Sequence, residues 1–351
     1  RIDVSMEYYN TKTKDVIWNK ALPVINGAFS PDGGPKANYT TNLNMCETSN
    51  KGFELALNTR NIITKNFTWS SSVTFNHNKE KITKLSGGDS DVLNNGDTGY
   101  ALALGEAINS YYHYKLDGVW QKGEETDAAV FGAAPGDLKI NIPNLVKESD
   151  GRFYKIDEET GSAAVDENGN VIYYTSDNKY TPSDADYQIL GHNSPDWSLG
   201  FQNNFTWKDF DLSVFVYARY GQMFAYDMLT SYDPKGIRNF PTYFNYWTEN
   251  NPSNDFPAAN ANKGLEQYTG YYALRYVDGS FIKIKNITLG YSLPKSILKS
   301  AGIEKCRFYA TITNPFVFAK SHLLKDYDPE MNGSLKYPLT KQFVFGVNVT
   351  F

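Results

Sequence analysis

A chain of 351 residues with net charge -5, 41% hydrophobic and 21% charged residues has room for one large domain or two ordinary ones, and its composition is not that of a disordered segment. No window reaches the roughly 18 uninterrupted apolar residues of a membrane-crossing helix, and the scattered Lys and Arg argue against a nucleic-acid surface. The excess lies in 26 Tyr, 21 Phe and 6 Trp, which suits a Tyr-rich soluble β-sandwich or the aromatic girdles of a membrane barrel.

Period-two alternation starts at once with "IDVSMEYY" after Arg1, without an initiating Met or a leader, so the chain reads as one cut within a fold. "GFELALNTR" (52–60) follows. "FTWSSSVTFNH" (67–77) puts Phe67, Trp69, Val73 and Phe75 on one face and Thr68, Ser70, Ser72, Thr74 and Asn76 on the other. Segment 78–195 is too long to be featureless. Within it "YYHYKLDGVW" (111–120) reads as a strand and "VDENGNVIYY" (165–174) as a hairpin turning at Asn168-Gly169. "WSLGFQNNFTW" (197–207) sets Trp197, Leu199, Phe201, Phe205 and Trp207 against Ser198, Gly200, Gln202, Asn204 and Thr206. "DLSVFVYARY", "FIKIKNITLGYSL", "RFYATITN" and the closing "QFVFGVNVTF" complete the series. In the second of these, Lys283 and Lys285 share a face with Ile287 and Leu289, which predicts a bulge near Asn286 or an upper part outside the membrane.

The polar faces carry Ser, Thr, Asn, Gln and Gly rather than the charges that bulk water would favour, as expected of a hydrated interior. The runs match the about 9–11 residues of a membrane-spanning strand. Segments 61–66, 208–209 and 293–305 are short connections, and 11–50, 78–195, 221–279 and 315–341 are long ones, in strict alternation. Outer-membrane barrels alternate short periplasmic turns with long extracellular loops. The expected fold is therefore all-β, an antiparallel transmembrane β-barrel portion of eight strands with both of its ends toward the periplasm. Segment 78–195 becomes an extracellular loop subdomain. Cys46 in the first long loop and Cys306 beside a short turn then lie across an apolar band about 25 Å tall, too far apart for a disulfide.

Several motifs are familiar together. "YVDGSFIKIKNITLGYSLP" (276–294), "TNPFVFAKSHLLKDYDPE" (313–330), "NKGFELAL" (50–57), "APGDLKI" (134–140), "DYQILGHNSPDWSLGFQNNFTWKDFDLSVFVYARYGQ" (186–222) and the terminal "FGVNVTF" resemble, in order and spacing, the SusC/RagA-like TonB-dependent outer-membrane transporters. The resemblance spans nearly the whole chain. It implies a barrel of about 22 strands of which residues 1–351 are the C-terminal eight, with a lumen-filling plug that is not in this chain. It also implies TonB-dependent import, acting through that plug, of an oligosaccharide or peptide across a Gram-negative outer membrane. A SusD-like surface lipoprotein would be the partner, outer-membrane lipid the surroundings, and no cofactor is implied. One departure stands out. Between "APGDLKI" and "QILG" relatives often carry a compact Asp/Asn/Gly-rich loop resembling a calcium site, and that order is missing here, so no metal is carried over.

Chemistry is sought elsewhere with little result. His77, His113, His192 and His322 lie in different elements, and there is no Gly-x-Ser-x-Gly elbow or phosphate-cradling loop, so no enzyme is expected. "GGDSDVLNNGD" (87–97) fails the calcium-loop pattern at Leu93 and Tyr100. Asp326, Asp328 and Glu330 read as a structural loop packed on Pro329. Candidate substrate contacts are the loop aromatics Tyr111, Tyr112, Trp120, Tyr232, Tyr243, Tyr246 and Trp247, whose rings offer apolar faces with polar tips. The plainer reading of each is packing between loops or against a partner subunit. Glu54, Asn58, Arg60, Arg219 and Arg307 read as lumen positions that hold the plug. Phe343, Phe345, Val347, Val349 and Phe351 resemble the terminal signal read by the barrel-assembly machinery, which makes Phe351 the expected C-terminus. Three rivals remain: an iron-chelate or cobalamin receptor without a capping lipoprotein, an outer-membrane barrel enzyme, and a soluble aromatic-rich carbohydrate-binding sandwich.

Overall fold

Alternating side chains pair best when each strand's apolar row lies beside its neighbour's, and the register observed does this wherever such a row exists. The computed structural model describes residues 1–21, 40–85, 92–94, 100–231, 235, 241–299 and 302–351. Eight strands form one antiparallel sheet in chain order: β1 (Ile2–Ala21), β2 (Thr40–Ile63), β3 (Phe67–Leu85), β4 (Trp197–Trp207), β5 (Phe210–Tyr220), β6 (Phe281–Ser292), β7 (Lys305–Ala319) and β8 (Gln342–Thr350). Leu57, Val73, Phe201 and Val216 line up across four strands on one face. Asn58, Ser72, Gln202 and Phe215 line up on the other.

Among the described residues no second layer packs on the apolar face. Val4, Met6, Leu289, Phe308, Phe343 and Phe345 are exposed on it, an apolar surface far beyond what a water-soluble monomer leaves open. Aromatic pairs band it at two levels. Trp69 stacks on Phe205 (5.8 Å) and Trp207 on Phe210 (6.2 Å) toward the short turns, and Trp197 stacks on Tyr220 (5.5 Å) toward the long loops. The polar face is laced by short hydrogen bonds: Ser72 Oγ donates to Asn58, Asn76 Nδ2 to Glu54, and Gln202 Nε2 to Ser213. Tyr9 lies flat across Gly52 and Tyr309 across Gly346, their register partners, and a methyl group at either glycine would overlap the ring.

The expected bulge is present. Asn286 pairs with Phe215 and Ile284 with Val216, leaving Lys285 as the extra residue. That extra residue returns Ile282 and Ile284 to the apolar face and turns Lys283 to the polar one.

Three expectations need correction. The long connections 11–50 and 78–195 begin too early, because β1 runs on to Ala21, β2 starts at Thr40 and β3 continues to Leu85. These extensions ("TKTKDV", "TSNK", "NKEKITKL") carry polar residues on both faces. Backbone pairing continues there without an apolar row, so periodicity gives no warning. Cys46 accordingly sits within β2 opposite Val16 and Leu85, buried beside Ile82 and Leu102, rather than in a loop. Both cysteines are free, as expected. "YYHYKLDGVW" forms two strands, Ser110–His113 and Lys115–Val119, instead of one. The 165–174 hairpin is present, with Val165 bridged to Val171 and the Gly169 amide donating to the Asp166 carbonyl. Most of segment 87–97 lies outside the described residues.

Candidate ligand vestibule in the long loops

Among the described residues the larger buried apolar cluster lies in the loops. Val119 and Leu138 from the loop before β4 meet Phe224, Leu229, Phe244, Trp247, Phe256 and Tyr271 from the loop before β6, and Leu324 from the loop before β8. Three connections distant in sequence thus share one core.

The candidate aromatics divide against that core. Tyr111, Trp120 and Trp247 are buried in it or beside it. Tyr111 stacks on Tyr100 with ring centres 4.8 Å apart, their hydroxyls 3.1 Å from one another. Trp120 stacks on Phe131 (5.7 Å) under the Lys139 ammonium, and Trp247 Nε1 donates to Gln121 Oε1 at 2.9 Å. All three are buried by packing within or between the loops. Tyr112 and Tyr243 are half-buried, edge-on to Tyr187 and Phe244. Tyr246 is 41% exposed. Tyr232 lies outside the described residues.

Two cavities open among the loops at the scale of small-molecule sites. One of about 440 Å³ is walled by Tyr114, Leu116, Gln188, Leu190, Met223 and Tyr276. None of the seven candidates lines it, and of these walls Tyr114 and Leu116 fall within the aromatic run 110–120. Another of about 880 Å³ runs from Val317 and Phe318 at the end of β7 past His322, Tyr327 and Leu335 to Lys341. Trp120 helps wall a third of only about 60 Å³ with Asp137, Lys263 and Tyr268, room for a few waters and no sugar ring.

Two titratable groups in the loops are buried in contrasting ways. The His113 ring stacks on Tyr187 at 4.8 Å, and burial followed by the nearby Arg275 charge lowers its pKa to about 4, so it is a neutral ring at physiological pH. Asp186 is fully buried and accepts from Lys155 Nζ (2.6 Å), Tyr180 Oη (2.6 Å) and the Ser183 amide (2.9 Å). Burial pushes its carboxyl up, but these three donors outweigh burial and hold it below the ordinary carboxylate range. A depressed folded-state pKa means that the stabilisation is complete above the unfolded value and is lost as pH falls through the folded one. Asp186→Asn should therefore weaken the 145–186 segment by about 1.5–3 kcal/mol at neutral pH and remove its acid sensitivity. Limited proteolysis of that segment from about pH 7 down to about pH 2, through and below the ordinary aspartate value, measures both effects.

The bulged strand carries the densest ion cluster. Lys283, fully buried on the polar face of β6, pairs with Asp328 and, at 2.9 Å, with Glu330; Lys285 reaches Glu330 at 2.6 Å. Asp328 also caps the short helix Pro329–Met331 through the Glu330 amide. Arg219 Nη1 contacts Asn332 Oδ1 at 3.4 Å. The loop before β8 is thus folded over the polar face and clamped there. Asp328 and Glu330 are structural, on a buried Pro329, as the sequence suggests. Among the described residues no group of His, Cys, Asp and Glu is arranged to hold a metal.

No family model matches the chain. Among curated proteins it is similar to TonB-dependent receptor P3 of Formosa agariphila, 28% identical over 373 aligned positions, and to TonB-dependent receptor SusC of Bacteroides thetaiotaomicron, 26% identical over 361. Each match covers all of this chain but only 32% and 30% of the relative, so the chain spans about a third of their length. Among solved structures it superposes on the RagAB peptide transporter with TM-score 0.69 at 23% identity, covering 34% of that chain. The same importer in its open-open state gives 0.68 at 22%. The relatives are named as receptors and transporters, none as an enzyme. The eight-stranded meander and its uncovered apolar face agree with the motifs: over its whole length the chain is similar to TonB-dependent receptors, SusC among them, and it shares the fold of the RagAB structures.

Proposed function

We propose that this chain is the C-terminal barrel portion of a TonB-dependent importer that carries an oligosaccharide or peptide across a Gram-negative outer membrane. The observation that carries the reading is a sheet in chain order whose apolar face is bare and whose connections alternate short and long. In this reading the unpaired edges of β1 and β8 join further strands of a barrel of about 22. The polar face, with Glu54, Asn58, Arg60, Arg219 and Arg307, meets the plug. The closing row Phe343, Phe345, Val347, Val349 and Phe351 directs barrel assembly. The part of residues 78–195 beyond the end of β3 at Leu85 acts as an extracellular subdomain. The cross-linked loops form a vestibule that a SusD-like lipoprotein covers, enclosing substrate near the exposed Tyr246 and the half-buried Tyr112 and Tyr243.

Mild detergent extraction of the full-length protein from its own membranes should bring down a stoichiometric lipoprotein. Tyr246→Ala should lower uptake about 3–10-fold, the scale of one aromatic contact, without changing the amount of assembled barrel. A transporter that purifies alone and imports normally with this substitution would favour an uncapped iron-chelate or cobalamin receptor. Release from cells without detergent would favour the soluble sandwich.

A further inference from the structure

On the apolar face, near the short-turn end, the sheet is dented. Phe205, Trp207, Phe210, Leu212 and Leu289 wall a hollow of about 330 Å³ across β4, β5 and β6. Asp211 contributes backbone there, its carboxylate turned to the other face and held by Arg307. Trp207 and Phe210 stand as stacked walls, and Tyr291 extends the row at 4.7 Å from Phe210.

A cation stands at the rim. Lys208 occupies the two-residue turn between β4 and β5 with φ 52, and its Nζ lies 5.3 Å from the centre of the Trp207 ring. The whole short-turn end is basic: Lys65, Lys208, Lys295, Lys299 and Lys305 are exposed there against Asp209 and Glu304. An aromatic hollow beneath a lysine is complementary to an amphiphile with an apolar tail and an anionic head.

We propose that this hollow and Lys208 form a binding site for an anionic phospholipid of the periplasmic leaflet, one acyl chain lying between Trp207 and Leu289 and the phosphate at Lys208. The inference rests on the outer-membrane reading above, which sets the apolar face in lipid and the short turns at the periplasmic headgroups. Nothing in import requires the site. Its effect is to fix the height of the β4–β5 turn in the leaflet.

The test uses the full-length protein, delipidated in mild detergent and exposed separately to phosphatidylglycerol and phosphatidylethanolamine, with bound lipid counted by native mass spectrometry. Wild type should retain phosphatidylglycerol preferentially. Lys208→Glu should reduce that retention about fivefold, and Leu289→Trp, which fills the hollow, should reduce retention of both lipids. Lys305→Glu, at the same end but on β7, should leave retention unchanged; heat-modifiable migration of each variant confirms an assembled barrel. Equal retention of the two lipids, or equal losses in Lys208→Glu and Lys305→Glu, would overturn the site as non-selective lipid coating. Such a result in a protein that still needs detergent leaves the transporter reading standing, whereas a protein soluble without detergent sinks that reading first.

Discussion

Lys283→Met is expected to release the loop before β8 from the sheet. In the native arrangement the Lys283 side chain is 0% exposed, with Asp328 at 11% and Glu330 at 18%. Removing the lysine leaves two mostly buried carboxylates with Lys285 alone to balance them. Breaking a buried ion pair by deleting one partner costs about 3–5 kcal/mol, most of it from the charge left behind. The loss should be local. Hydrogen exchange in residues 322–334 should accelerate by two or more orders of magnitude, about 1.4 kcal/mol per factor of ten, while β2 to β5 keep their protection. Adding Asp328→Asn and Glu330→Gln should restore part of it, because the orphaned charges then disappear. Unchanged exchange in Lys283→Met would show that Arg219 and the packing of Leu324 hold the loop without the ion cluster.

The second large effect concerns the two faces. Arg in place of Phe201, at the middle of β4 on the bare face, should destabilise the assembled barrel by about 2–4 kcal/mol. Arg in place of its neighbour Gln202, which faces the polar side and bonds to Ser213, should cost little. Equilibrium unfolding of the full-length protein in lipid vesicles separates the two. Equal tolerance at both positions would contradict a membrane-embedded face.

Much of the sheet was legible because its faces differ chemically. The alternation in 67–77 and 197–207 placed β3 and β4, and two tight turns fixed their direction. Ser71 and Asn203 break that alternation, with polar groups on the apolar face, and the sequence offers no reason. The structure supplies one. Ser71 Oγ donates to Asn203 Oδ1 at 2.8 Å, Trp69 Nε1 donates to the same oxygen at 3.0 Å, and Asn61 Nδ2 donates to Ser71. Three strands satisfy one another's polar groups, so none faces the apolar surroundings alone. The upper halves of β1 to β3 were not legible, because with polar residues on both faces an extended strand and a loop look alike. Lys283 announced itself as an anomaly, but its partners lie 45 and 47 residues further on. The candidate aromatics were legible as a class and not as individuals. Whether Trp120 or Tyr246 is buried depends on contacts such as Trp120 with Phe131 and Trp247 with Gln121, and local pattern carries no record of them.

The rings laid over Gly52 and Gly346 bear on an error that alternation cannot prevent. Sliding one strand past its neighbour by two residues keeps every apolar side chain on the apolar side, so the sorting of faces tolerates it. The tyrosines do not. Moved by two places, Tyr9 would land on Asn50 or Glu54, and Tyr309 on Val344 or Asn348, where a side chain already occupies the space the ring needs. Each pair is a registration mark. One sits in the first hairpin and the other in the last, so the two outermost ladders of the sheet are each keyed by shape to a single alignment.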